Sequence, residues 1–460
     1  MTQSTSLNLT SLTAAYFSEQ INTTILGSKP LIGRLLPMES FNIQYSTITS
    51  PILPLDILAL IIDTVGEDKD VDLLKKLALV SHRFLQICNI YLFSTIELYD
   101  AAPTWRASSK KGFVKLLKSR PDVVKHIRKL TYNVSHENGF SPGINEDQLL
   151  SAILPNFLKT IPHLKCLEIS AAKLDWNTLD SSLTSAFLYL MHLPNVNYIK
   201  LSFINNFPLS SLTPCVNLHQ LDIFYLKFGN DFSESLQSEI PRIRQFYTSD
   251  SSELTSMMLR AKRRDGRPAF DFTDLRQLSM SFTQNEDKGN IRHLLQTAKL
   301  LDKLHLFVER DRLTLEGLHD ILSPSARTLK ILELTVPLCY EVDPPLAGLC
   351  LCRELEAMAG HNVLETLAFQ VDVDGDETAD FIGSRIQKVE NVLVKPGWSA
   401  LKQVYFKISI ACCLESKETS AKLKEALQSL PDKYLSQLSK LDSVTLTYSA
   451  DIVKCVFELD

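Results

Sequence analysis

Five stretches of this sequence bring reactive or ligating residues close together. DVDGDETAD, residues 372–380, gathers five acidic side chains around a glycine, the composition of a calcium loop. Such a loop needs its glycine at position 6 and a bidentate glutamate at position 12, whereas Gly375 falls at position 4 and Gly383 at position 12, so the stretch reads as a solvated turn. Cys350 with Cys352 and Cys412 with Cys413 lack the paired C-x-x-C spacing of a zinc site and read as core thiols. RAKRRDGR, residues 260–267, puts five cations in eight residues, which suits an import signal, an anion-binding loop or simply a solvated turn; the turn is the plainer reading. In the fifth stretch Lys111, Lys115 and Lys118 share one helical face while Phe113, Val114, Leu116 and Leu117 take the other, an amphipathic cap in the making. Neither a G-x-x-x-x-G-K phosphate loop nor a G-x-S-x-G elbow occurs, and the ten histidines fall into no catalytic arrangement. The expectation is a binding protein without catalytic residues, cofactor or metal; a hydrolase using one of the cysteines is the enzyme alternative.

These residues sit in a long chain of ordinary globular composition. It has 460 residues, 45% hydrophobic and 22% charged, enough to bury a sizeable core. A net charge of −5 spread over so large a surface gives no electrostatic case for nucleic acid or an anionic membrane. Nine cysteines at irregular spacing fit reduced thiols better than a disulfide framework. No apolar run reaches the roughly 20 residues of a membrane span, and no signal peptide is evident, so cytoplasm or nucleus is expected. Charge divides the chain: residues 51–100 carry eight acidic and four basic side chains, residues 101–135 nine basic and one acidic. The expected organisation is a flexible, Ser/Thr/Asn-rich tail over 1–49, a short helical module over 50–100, and a larger domain over 101–460.

The module opens with LPLDILALIIDTV, residues 53–65. Pro54 suits a first helical turn, Asp56 faces the positive end of the helix dipole, and Ile57, Leu58, Ile61, Ile62 and Val65 form a broad apolar stripe closed by Gly66. A second, longer helical pattern runs through Leu73, Leu74, Leu77, Val80, Phe84, Cys88 and Leu92. Two or three short helices result, with more apolar surface than they can hide among themselves. LPLDIL, the Ile61–Ile62 pair, LVSHRF (79–84) and YLF (91–93) resemble the F-box, a module of roughly 50 residues found in substrate receptors of cullin-type ubiquitin ligases, in its fungal F-box-like variety. Phe84 stands where that family usually has Trp, and the GEDKD connection is longer than its usual helix link. The resemblance implies docking onto a small Skp-type adaptor through Leu53, Pro54, Leu58, Ile61, Val80, Ser81 and Phe84.

The larger domain repeats a pattern, Φ-x-x-Φ-x-Φ with Φ apolar. Copies include IRKLTY (127–132), LKCLEI (164–169), VNYIKL (196–201), LHQLDI (218–223), a weak one at Ile243, LRQLSM (275–280), LDKLHL (301–306), LKILEL (329–334), LETLAF (364–369), LKQVYF (401–406) and LDSVTL (441–446). The mean period is about 31 residues, each copy ends in strand-like alternation, and helical patterns such as FIGSRIQKVENVLV lie between copies. The copies resemble leucine-rich repeats in their LxxLxL core, although Ala172, Thr283, Pro337 and Asp372 stand where Asn or Cys is usual. The fold implied is α/β, an irregular solenoid with a concave parallel sheet and convex helices.

Together these readings give a substrate-recognition adaptor of a Skp–cullin–F-box ubiquitin ligase. Its target, a protein the sequence does not identify, would meet Lys165, Glu168, Lys200, His219, Asp222, Gln277, His305, Lys330, Glu333, Gln403 and Lys407, a surface of mixed sign that argues against nucleic acid. Leu167, Ile199, Leu221, Leu278, Leu304 and Leu332 should be core. The alternative keeps the repeats as an interaction scaffold unconnected with ubiquitin.

Overall fold

A computed structural model describes residues 55–68, 70–99, 109–134, 153–229, 239–249, 252–282, 285–308, 315–338, 346–374, 378–412 and 417–454. The N-terminal tail, Leu53, Pro54 and residues 375–377 of the acidic stretch lie outside them. The chain forms two compact units, residues 1–196 and 197–460.

The described part of the first unit opens with three short helices, α1 (Leu55–Glu67), α2 (Val71–Ala78) and α3 (His82–Leu92). Their shared core is small: Ile62, Leu74 and Cys88 are buried, with Val65, Leu77, Phe84, Ile87 and Tyr91 packed around them. The apolar pattern over 71–93 splits in two because Ser81 is extended, with φ −160° and ψ 164°, and its hydroxyl accepts the Phe84 N–H at 3.3 Å, capping α3. Asp70 caps α2 by accepting the Leu73 N–H at 2.9 Å. Gly66 does not terminate α1, which runs on to Glu67. The Tyr91 ring lies where a Cβ at Gly66 would stand, and its hydroxyl donates to Asp63 at 2.6 Å. Asp63 and Gly66, three apart, share one helical face and together seat the ring.

The sheet then starts earlier than the sequence reading placed it. β1 (Thr95–Tyr99), assigned there to the helical module, pairs in parallel with β2 (Lys129–Val134), which pairs with β3 (Cys166–Asp175). FSTIEL, residues 93–98, is one more copy of the repeat. The helix Ser109–Ser119 buries Phe113, Val114 and Leu117 and leaves Lys115 and Lys118 exposed, the expected amphipathic division.

In the second unit, β4 (Tyr198–Asn205), β5 (Gln220–Phe224), β6 (Gln245–Ser249), β7 (Gln277–Phe282), β8 (Lys303–Val308), β9 (Ile331–Leu338), β10 (Thr366–Asp374), β11 (Gln403–Cys412) and β12 (Thr445–Lys454) pair in parallel in chain order. Helices such as Asn285–Thr297, Leu346–Met358 and Ala379–Leu393 return the chain between them, as parallel strands require. The protein is thus α/β with a parallel sheet compatible with a solenoid-like arrangement. Ile199, Leu221, Leu278, Leu304 and Leu332, one per strand, are at most 1% exposed, so one face of the ladder is core and the other is open.

Each turn is stitched to the next by backbone. The Asn197 carbonyl accepts the N–H groups of both His219 and Gln220, that of His219 accepts Arg244 and Gln245, and that of Arg244 accepts Arg276 and Gln277, all at 2.8–3.1 Å. The same fork recurs from Arg276, Asp302, Lys330 and Glu365 to the following strands. These bonds satisfy the backbone N–H groups at the strand entrances.

Candidate functional site

Helices α1–α3 leave much of their own apolar surface uncovered. Ile57, Leu60 and Ile61 are spaced to lie on one side of α1 and are 42%, 62% and 44% exposed. Leu79 and Val80, in the break between α2 and α3, are 84% and 65% exposed, and Leu73 and Ile90 are exposed as well. Of the expected docking residues, Ile61, Val80 and Ser81 therefore reach solvent, Leu58 is half-buried, and Phe84 packs inward on the Ile62–Leu74–Cys88 core. Leu60 and Leu79, outside the expected set, are exposed as well, because spacing alone does not tell which apolar residues of a short helix pair meet their neighbours.

On the open face, strand register collects side chains into rows. One row reads Lys200, Asp222, Tyr247, Ser279, His305 and Glu333 across β4 to β9, and the row before it Tyr198, Gln220, Gln245, Gln277, Lys303 and Ile331. Asp222 is nearly buried, accepting from the Tyr198 hydroxyl at 2.7 Å and the Gln220 amide at 3.1 Å. The His305 ring bridges the Ser279 and Thr335 hydroxyls at 3.1 and 3.0 Å; burial lowers its pKa, and Lys303 adds to this against the opposing pull of Glu333. Lys303 pairs with Glu333 at 2.8 Å, the Tyr247 hydroxyl donates to Gln277 at 2.8 Å, and the Lys200 ammonium lies 5.2 Å from the Phe224 ring centroid. Gln403 and Lys407 lie on the same face of β11, both exposed. In the first unit Glu168 takes the corresponding position on β3, bonded to Lys129 at 2.6 Å and Thr131 at 3.0 Å.

Lys165, His219 and Lys330 are corrections to the expected surface. Each immediately precedes a strand and spends its N–H on the fork to the previous turn, so it belongs to a rim along the strand entrances. A residue three before Glu168, Asp222 or Glu333 has the opposite parity in an alternating strand and cannot share their face. On this rim Glu365 is held between Lys402 at 2.6 Å and Lys330 at 3.6 Å.

Two residues at the far strand ends were not legible beforehand. Phe203 and Tyr225 have left-handed backbones, φ 58° and 50°, unusual for bulky side chains, and their rings stack at 4.7 Å and 8° while 43% and 48% exposed.

Three of the described cysteines are shifted away from reactivity. Burial raises the thiol pKa of Cys88 and Cys352 and pushes that of Cys215 up to about 12, the reverse of an activated cysteine. Among the described residues, no group of three or more His, Cys, Asp or Glu could hold a metal ion, and no helix is long and apolar enough to cross a membrane. No family model matches the chain, and no curated protein matches it.

Proposed function

We propose that this protein is a substrate-recognition adaptor of a cullin-type ubiquitin ligase, with α1–α3 docking a Skp-type adaptor and the leucine-rich-repeat-like sheet holding a target protein. One observation carries the reading: seven large apolar side chains, Ile57, Leu60, Ile61, Leu73, Leu79, Val80 and Ile90, stand exposed on three short helices with only three buried core residues. An apolar surface of this density on so small a module is the mark of an interface. The chain then contributes proximity: it holds a target beside a ligase whose reactive cysteine belongs to another protein, raising its effective concentration there. Co-expression with a Skp-type adaptor tests this. A 1:1 complex surviving size-exclusion chromatography is expected, and two separate peaks would leave the protein an interaction scaffold unconnected with ubiquitin.

A further inference from the structure

The strand entrances of β5 to β7 carry a concentrated positive charge. The forked backbone bonds place His219, Arg244 and Arg276 on neighbouring turns, and the two arginines are exposed. Adjacent strands lie about 4.8 Å apart, so these three residues span roughly 10 Å. The basic stretch singled out in the sequence comes to the same edge. It folds into a tight hairpin in which Lys262 bridges Pro268 and the Arg263 N–H donates to the Arg267 carbonyl at 2.9 Å, with Ala261, Ala269 and Phe270 buried beneath. From the hairpin the chain passes directly to Asp271, which pairs with the backbone of Pro241 and Ile243 beside Arg242. Five further exposed cations, Arg242, Arg260, Lys262, Arg264 and Arg267, thus accompany Arg244 and Arg276.

The acids nearby offset only part of this charge. Asp265 is engaged by Arg267 at 2.6 Å and Arg263 at 3.4 Å, and Asp271 lies 3.9 Å from Arg242 and accepts from Thr273. Among the described residues no ion pair engages Arg244, Lys262 or Arg276. The ordered hairpin favours the turn reading of this stretch, because its backbone bonds to itself.

One step onto the open face, Gln220, Gln245 and Gln277 stand side by side in register. The Gln277 carbonyl oxygen takes the Tyr247 hydroxyl, which leaves its amide N–H groups to donate. Arginine forks at an edge with neutral amides just inside suit carboxylates on an extended chain whose peptide groups meet the glutamines.

We infer that the rim of Arg244 and Arg276, with the 260–267 hairpin and the glutamine row, binds a short acidic segment of a partner protein, about three or four residues long. The adaptor reading supplies the identity of that partner as the target, and the inference rests on it in that respect only. A long polyanion fits less well: Asp302 and Glu365 follow on the same rim, so the positive patch ends within a few strands.

The test uses the full chain and a fluorescein-labelled Glu-Asp-Glu-Glu-Asp-Glu peptide, read by fluorescence anisotropy at 50 and 200 mM salt. Binding at low salt that weakens at high salt is expected, with no binding of the Gln-Asn-Gln-Gln-Asn-Gln analogue. Arg244→Gln with Arg276→Gln should weaken binding about tenfold or more, whereas Lys115→Gln with Lys118→Gln should leave it unchanged. Both pairs are exposed, so melting temperatures should match the parent protein. The inference is overturned if the acidic peptide does not bind, if the two arginine substitutions leave its affinity intact, or if a single-stranded oligonucleotide of equal charge binds more tightly. Adaptor complex formation by the Arg244/Arg276 variant is scored separately, so a failure of the ligase reading is visible without touching this result.

Discussion

Leu79 and Val80 offer a sharp test of the docking surface, because the free protein barely uses them. With 84% and 65% of their surfaces in water, the pair Leu79→Ala and Val80→Ala should change folding stability by no more than about 0.5 kcal/mol. In a complex that covers them the arithmetic differs. Leu→Ala removes three carbons and Val→Ala two; at about 0.8 kcal/mol per carbon, scaled by the 84% and 65% still available to be buried, the loss is about 3 kcal/mol. That is a weakening of adaptor binding by about two orders of magnitude. Isothermal titration of the purified double variant with a Skp-type adaptor measures it, alongside a thermal melt. An affinity within threefold of the parent, with the melt unchanged, would refute the assignment of this surface. Ile62→Ala is the contrasting control: that side chain is wholly buried, so its truncation should lower stability before it reports on any interface.

Three further perturbations test how the structure is held. Gly66→Ala should destabilise the helical module by about 1–2 kcal/mol, although Gly→Ala inside a helix ordinarily stabilises, because the new Cβ meets the Tyr91 ring that Asp63 holds in place; a raised melting temperature would contradict this. Glu390, 1% exposed, accepts the N–H groups of Gln437 and Leu438 at 2.8 and 2.9 Å, so Glu390→Ala leaves both donors without this acceptor, the Leu438 N–H in a buried position. We expect a loss of about 3 kcal/mol by urea unfolding, against about 1 for Glu390→Gln, which keeps an acceptor; equal losses would mean the two bonds are not what matters. Burial depresses the pKa of His305, so the folded state resists its protonation. Stability from this residue is complete above the unfolded value of about 6.5 and declines as pH falls from there toward the lower folded value. Unfolding between pH 7.5 and 5 should show this decline, and it should be shallower in His305→Gln; an unchanged slope would remove His305 as its source.

What the sequence determined by itself is what is local and periodic. The hexads spaced about 31 residues apart announce strands whose alternate residues are buried, and Leu167, Ile199 and Leu304 are core because an apolar side chain at the right parity has only one face to enter. The helices of the first module are legible for the same reason, from their period of 3.6. Tertiary structure alone decided which apolar residues are left uncovered: Phe84 turns inward because the Ile62–Leu74–Cys88 core lies beside it, whereas Leu79, in the break after α2, stands outward. It also decided where each strand begins, and thereby moved Lys165, His219 and Lys330 from the open face to the rim, since a single turn residue spent on the backbone fork reverses the parity of what precedes it. The meeting of Arg244 with Arg276, 32 positions apart, and of Asp63 with Tyr91 is likewise invisible in one dimension. Periodicity reports how a segment lies on the core, but the pairing of distant turns depends on how much chain each connection uses.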